Sequence, residues 1–60
     1  MTNAMIQFHA NSLKAQYAEL DAAIAAEDAM TADMIRGGIK TRRDFLAAKG
    51  VVIIIDEEDE

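Results

Sequence analysis

The sequence predicts a mainly α-helical protein, an antiparallel hairpin of two helices followed by a short C-terminal β-strand. Three observations carry this prediction. Apolar residues recur at helical spacing in the first half of the chain, a second amphipathic stretch follows a break in that repeat, and five consecutive β-branched residues precede an acidic end. We expect one domain, with the helical hairpin over residues 1–50 and an apolar strand with an acidic tail over residues 51–60.

The first helix is predicted over residues 4–28 because apolar side chains follow a 3.5-residue repeat there. Alanines between them raise helix propensity and allow a second helix to approach closely. Thr2 or Asn3 can cap the helix start through a side-chain oxygen. A row this narrow predicts packing against another helix, either as the core of a hairpin or as a coiled-coil contact with a partner protein. We name the row the seam; it comprises Ile6, Ala10, Leu13, Tyr17, Leu20 and Ile24.

The second helix is predicted over residues 32–49. Continuing the repeat beyond Ile24 would place Glu27 on the seam, so we expect the chain to reverse at residues 28–31, with Thr31 capping the new helix. Its apolar face is predicted to comprise Met34, Ile35, Ile39, Phe45 and Leu46. Lys49 in the last turn and Gly50 in the left-handed cap position predict its end, with Val51 packing back on Leu46.

The pair Gly37-Gly38 leaves two alternatives open. Each glycine costs about 1 kcal/mol relative to alanine inside a helix. The pair either permits two helices to pack closely, or ends one helix before Thr41 caps another. The second alternative would move the reversal to residues 37–40, and we prefer the turn at 28–31.

The run from Val51 to Ile55 favours a strand, because β-branched side chains fit extended backbone well. A strand that is apolar on both faces expects burial on both faces and must pair its backbone groups. Three arrangements remain open: self-pairing in a homodimer, addition to the sheet edge of another protein, and docking as an apolar tail. The run resembles the short apolar-then-acidic motifs that dock on the edge of ubiquitin-like sheets. The predicted partner-binding residues are Val51, Val52, Ile53, Ile54, Ile55, Asp56, Glu57 and Glu58.

Charge is distributed unevenly along the chain, whose net charge is −5. Residues 1–30 carry a balance of −3, residues 31–50 a balance of +3, and residues 51–60 only acids, −5. A basic middle between acidic ends suits self-assembly or intrachain docking and argues against a nucleic-acid binder. The candidate face for an anion or an acidic partner is the basic stripe Arg36, Lys40 and Arg43.

The composition argues against catalysis and against a cofactor or metal. There is no cysteine and a single histidine, so the usual zinc spacings are absent, and no phosphate-binding loop or Ser/His/Asp set occurs. The chain has no membrane-spanning apolar stretch and no signal pattern, from which we expect a cytoplasmic protein. A 60-residue chain builds only a marginal core, so we expect a homo-oligomer or docking on a larger protein.

The stretch from Leu20 to Phe45 resembles the helical hairpin of nucleotide-excision repair subunits, which mediates subunit contacts. The residues that carry the resemblance are Glu27-Asp28, Ala32, Ile35-Arg36 and Ile39, and Gly37-Gly38 departs from the pattern. We carry no function over from it. The expected function is a small non-enzymatic interaction module that modulates, inhibits or scaffolds a larger protein. The alternatives are a structural subunit of a homo-oligomeric assembly and a nucleic-acid regulator using the basic stripe.

Overall fold

The computed structural model describes residues 1–55 and consists of two helices, α1 (Asn3–Ala25) and α2 (Ala29–Ala48), packed against each other. A three-residue connection forces them to run antiparallel. The predicted helical hairpin is therefore confirmed, with both helices beginning and ending slightly earlier than expected. α2 runs unbroken through Gly37-Gly38, so the alternative with a reversal at residues 37–40 is wrong.

The start of α1 is capped by Thr2, one of the two predicted candidates. Its Oγ1 accepts a hydrogen bond from the Met5 N–H at 3.2 Å. This bond satisfies one of the four N–H groups that the first turn of a helix leaves without a partner.

The connection Ala26–Asp28 ends one helix and begins the next. The N–H of Glu27 donates to the Ile24 carbonyl at 3.0 Å, and the N–H of Asp28 donates to the Ala23 carbonyl at 2.9 Å, which is the Schellman pattern. Glu27 occupies the left-handed cap position with φ of 58°, where a side chain costs about 1 kcal/mol relative to glycine.

Asp28 also caps α2. Its Oδ1 accepts from the Thr31 N–H at 3.1 Å and its Oδ2 accepts from the Thr31 hydroxyl at 2.7 Å. The prediction that Thr31 is the cap was wrong, because the chain reverses three residues earlier and Thr31 already lies in the first turn. The hydrogen bond from the Thr31 hydroxyl, and to a smaller extent the one from the Thr31 N–H, lower the pKa of Asp28 below its ordinary value of 3.8.

The end of α2 follows the prediction. Gly50 has φ of 76°, its N–H donates to the Ala47 carbonyl at 2.9 Å, and the Val51 N–H donates to the Leu46 carbonyl at 2.9 Å. This second Schellman motif turns the chain back along the hairpin and directs Val51 onto the core.

The core is a single layer between the two helices, consistent with a smallest molecular extent of 14 Å. Its buried members are Leu13, Ile39, Leu46 and Ile53. Partly buried apolar side chains packed on them are Ile6, Ala10, Tyr17, Leu20, Ile35, Val51 and Ile55. Every member of the seam except Ile24 thus lies in or against the core.

Three side chains predicted to face the core do not. Ile24 is 50% exposed, because near the connection the helices meet through the buried Ala23 and Ala32 instead. Met34 and Phe45 are also exposed. Each lies more than about 100° around α2 from the buried Ile39, given 3.6 residues per helical turn. The inward row of α2 is instead Ala32, Ile35, Ile39 and Leu46. Over residues 1–55, neither helix has the length and hydropathy of a membrane span.

Candidate functional site

Arg42 and Arg43 reach α1 on opposite sides of the core. Consecutive helical residues point about 100° apart, and so do their consecutive partners on α1, Gln16 and Tyr17. Arg43 donates from Nε to the Tyr17 hydroxyl at 3.0 Å, and Arg42 donates from Nε to Gln16 Oε1 at 3.1 Å. The two arginines therefore define two sides of the hairpin, which differ in what covers them. We name the side of Tyr17, Arg43 and residues 51–55 the closed flank, and the side of His9, Gln16, Gly37-Gly38, Arg42 and Phe45 the open flank.

The closed flank is covered by residues 51–55. Ile53 is 8% exposed, whereas Val52 and Ile54 are 80% and 85% exposed, and Val51 and Ile55 are half-buried. This alternation has the two-residue period of an extended chain. One face of the segment packs on the hairpin and the other faces away from it. Self-pairing and addition to the sheet of another protein did not predict burial of residues 51–55 on their own hairpin. This burial agrees with the docked-tail alternative, and only for the face of the segment that carries Ile53.

Arg43 holds the segment in place. Its Nη1 donates to the Ile53 carbonyl at 2.9 Å, and its guanidinium lies 5.6 Å from the centroid of the Tyr17 ring. The Tyr17 hydroxyl, which needs a polar partner beside the core, finds it in the same guanidinium. Arg43 was predicted to lie on the solvent-facing basic stripe; it is half-buried and turned toward the core.

One edge of the segment has no protein partner in the described part of the chain. Within residues 1–55, its backbone hydrogen bonds are those of the Val51 N–H and the Ile53 carbonyl. In an extended chain, alternate residues direct their N–H and C=O groups to opposite edges. Val52 and Ile54 therefore direct theirs to the edge away from Arg43. No strand pairing occurs among the described residues, so the predicted strand stays a prediction, and Asp56, Glu57 and Glu58 lie outside them.

The open flank is an uncovered groove of about 600 Å³. Its lining residues are His9, Gln16, Gly37, Gly38, Thr41, Arg42 and Phe45. Gly38 forms part of its floor, where an added Cβ would lie 3.0 Å from Gln16 Nε2. Gly38 thus permits close helix packing, the first of the two sequence alternatives, whereas a Cβ at Gly37 would meet nothing within 4 Å.

Arg42 contacts two side chains of α1 on this flank. Its Nη1 lies 2.6 Å from His9 Nδ1, and its Nε donates to Gln16. The ring of His9 in turn packs against Phe45, with centroids 5.7 Å apart, and against Phe8 at 5.4 Å. Lys49 places its ammonium 5.5 Å from the centroid of the Phe45 ring. Cationic and aromatic groups are therefore interleaved around the groove.

The predicted basic stripe does not form one surface. Arg36 pairs with Asp33 at 3.0 Å and Lys40 pairs with Asp44 at 2.7 Å, each within α2 and exposed. The hydrogen bond and the negative charge of Asp44 raise the pKa of Lys40 above its ordinary value. In the part of the chain that the structure describes, Arg42, Arg43 and Lys49 have no carboxylate within ion-pair distance. Arg42 and Lys49, which the sequence places near the predicted stripe, each lie one helical turn from Phe45.

A third exposed apolar area lies near the connection between the helices. Ile24, Met30 and Met34 are all exposed there. A shallow cavity of about 220 Å³ lies beside Ile24, between Ala32 and Arg36. In the described part of the chain the cation beside this area, Arg36, is paired with Asp33, which distinguishes the area from the open flank.

The chain matches no protein-family model, no curated protein and no solved structure.

Proposed function

We propose that this protein is a non-enzymatic interaction module that adds residues 51–55 as a strand to the sheet edge of a larger protein. The observation that supports the proposal is the exposure of Val52 and Ile54 on either side of the anchored Ile53. Because one face of the segment is already packed on the hairpin, the segment can present its backbone edge to a partner without first becoming ordered.

The energetics favour such a contact. Burying a valine or isoleucine side chain contributes roughly 1.5–3 kcal/mol. The N–H and C=O groups of residues 52 and 54, which make no hydrogen bond within residues 1–55, provide hydrogen bonds in the pattern of strand addition. Because Arg43 and the core already hold Ile53, the entropy lost on binding is smaller than for a free peptide.

The acidic run that follows gives the proposed partner a chemical character. Residues 56–60 are all Asp or Glu, so a basic rim beside the receiving sheet edge would attract them. The net charge of −5 adds long-range attraction to a basic protein partner and disfavours negatively charged ones.

A homo-oligomeric structural subunit is the second candidate. It is favoured by the extent of exposed apolar side chains on so small a chain: beyond Val52 and Ile54, these are Met1, Met5, Phe8, Ile24, Met30, Met34 and Phe45. Exposed apolar area on this scale is typical of surfaces that associate. In this case the free edge would pair with the same edge of a second copy.

The test compares two double substitutions that each remove two exposed apolar side chains. Val52→Thr with Ile54→Thr changes the proposed edge and keeps its β-branching, whereas Met30→Thr with Met34→Thr changes the area near the connection. We expect the first to reduce co-purification of the native partner tenfold or more and the second to leave it unchanged. Equal capture by both variants would contradict the proposal. Sedimentation over a concentration series then separates a foreign partner from a second copy.

A further inference from the structure

We propose that the open flank binds a carboxylate-rich segment, and that its occupant is the acidic run of residues 56–60 of a second copy of this chain. The groove lies on the opposite side of the hairpin from residues 51–55, but its occupant is the acidic run that the proposed function places beside a partner's basic rim, so the two contacts compete for that run. It follows from the position of Arg42, which has no carboxylate within ion-pair distance among residues 1–55, from its fixed orientation and from the aromatic rings around it.

Arg42 is oriented for carboxylate recognition. A guanidinium has five N–H donors, and the described contacts of Arg42 use Nε and one N–H of Nη1. The remaining donors belong to a residue that lines the groove, and they form the fork that matches a carboxylate. Since Gln16 and His9 already fix the side chain, little rotamer entropy remains to be lost on binding.

The surroundings of Arg42 strengthen an ion pair there. Lys49 supplies a second cation beside Phe45, and the described residues place no carboxylate within ion-pair distance of either. The ring of His9, which contacts Arg42, lies between the exposed rings of Phe8 and Phe45. Gly37 and Gly38 have no side chains, so a backbone can approach the groove floor.

Charge complementarity within the sequence selects the occupant. Residues 31–50 carry a balance of +3 and residues 51–60 a balance of −5, so the chain contains both halves of the contact. A single-stranded nucleic acid would also find cations and aromatic rings on this flank. The overall charge of −5 repels a polyanion, which favours the acidic protein segment.

The experiment uses full-length chains and exchanges one half of the contact at a time. A groove variant, Arg42→Gln with Lys49→Gln, removes the cations. A tail variant replaces residues 56–60 by their amides, Asp56→Asn, Glu57→Gln, Glu58→Gln, Asp59→Asn and Glu60→Gln. Arg36→Gln with Lys40→Gln is the matched control, because it removes the same charge from residues paired within α2.

We expect wild-type self-association, measured by sedimentation velocity, to weaken about tenfold or more in the groove variant and in the tail variant. The control is expected to associate like wild type. A mixture of the groove variant and the tail variant should associate again, since each supplies the half that the other lacks. High salt should weaken all of these contacts.

The outcomes decide between occupants. A monomeric wild type over the whole concentration range, equal weakening in the control, or no recovery in the mixture each overturns the proposal. Anisotropy of a labelled single-stranded oligonucleotide that rises with wild type and not with the groove variant assigns the flank to nucleic acid instead. If the groove variant unfolds by circular dichroism, Lys49→Gln alone is expected to weaken association, and an unchanged association overturns the proposal.

Discussion

The closed flank and the open flank each carry an arginine of α2, but residues 51–55 cover only the closed flank. Arg42 and Arg43 are neighbours on α2, and each donates one hydrogen bond from Nε to a side chain of α1. The second bond of Arg43 goes to the carbonyl of Ile53, whereas that of Arg42 goes to a second side chain, His9. Each guanidinium thus uses the same two donor atoms, Nε and Nη1, and the two arginines differ in their surroundings: Arg43 holds residues 51–55, whereas Arg42 lines a groove.

We therefore expect substitutions on the closed flank to change the free energy of unfolding and those on the open flank to change binding. The free energy of folding of a lone core of this size is roughly 3–5 kcal/mol, so a single lost contact is visible. Substitutions on each flank test whether closed-flank residues contribute to stability and open-flank residues to binding.

Ile53→Ala is expected to destabilise the protein by about 3 kcal/mol, because it removes a buried side chain from the core. Ile54→Ala, one residue away and 85% exposed, is expected to change stability by less than about 0.5 kcal/mol. Urea denaturation followed by circular dichroism at one fixed concentration measures both. Equal losses would show that the segment is not held on one face as described.

Arg43→Met is expected to cost about 1–2 kcal/mol, because the Ile53 carbonyl and the Tyr17 hydroxyl both lose a charged donor. Arg42→Met is expected to cost less, since its partners line an open groove and regain solvent. The same denaturation experiment compares them. A double-mutant cycle of Arg43→Met with Tyr17→Phe should show coupling. A larger loss for Arg42→Met than for Arg43→Met would reverse the assignment of the two flanks.

Gly37→Ala is expected to stabilise the protein by about 1 kcal/mol, because alanine favours the helix and nothing lies within 4 Å of the new Cβ. Gly38→Ala is expected to gain less, because its Cβ would meet Gln16 Nε2 at 3.0 Å. Adding Gln16→Ala to Gly38→Ala should recover the difference. Thermal denaturation measures all three, and equal gains for the two glycine substitutions would show that the open flank has no close contact at Gly38.

The free energy of unfolding of the whole hairpin should decrease in acid because Asp28 becomes protonated. Its pKa is lower in the folded protein than the ordinary value of 3.8, so its contribution is complete above that pH and is lost as the pH falls through the folded value. Asp28→Asn should remove this part of the pH dependence, and Thr31→Val should reduce it. Unfolding followed from pH 5 to pH 2 measures the effect. An unchanged profile in Asp28→Asn would contradict it.

The helical hairpin could be predicted from the sequence because its signals are local. The seam repeat, the Thr2 cap and the Gly50 end each depend on a few neighbouring residues, and the structure confirms them. Helix phase was harder: Met34 and Phe45 are apolar, yet the helix rotates them away from Ile39. The reversal was placed too late because Glu27 in a left-handed position gives no glycine signal.

The candidate site was less predictable because its contacts join distant parts of the chain. The hydrogen bond from Arg43 to Ile53 and the position of Arg42 beside His9 depend on how the helices and residues 51–55 pack. Residues 51–55 were identified from the sequence as an unusual segment, but their composition does not show that the two faces of the segment differ in burial. Five β-branched residues look alike in sequence, and only packing on the hairpin separates Ile53 from Val52 and Ile54.

The connection at Ala26–Asp28 makes the length of the loop more critical than its composition. Asp28 ends the hydrogen bonding of α1 through its N–H and starts α2 through its carboxylate, so one residue is shared between two helix termini. A single inserted residue would separate those two tasks, so one of the two helix ends would lose a hydrogen-bond partner. Fusion partners and inserted epitopes therefore do not belong at this end of the hairpin, although it is fully exposed.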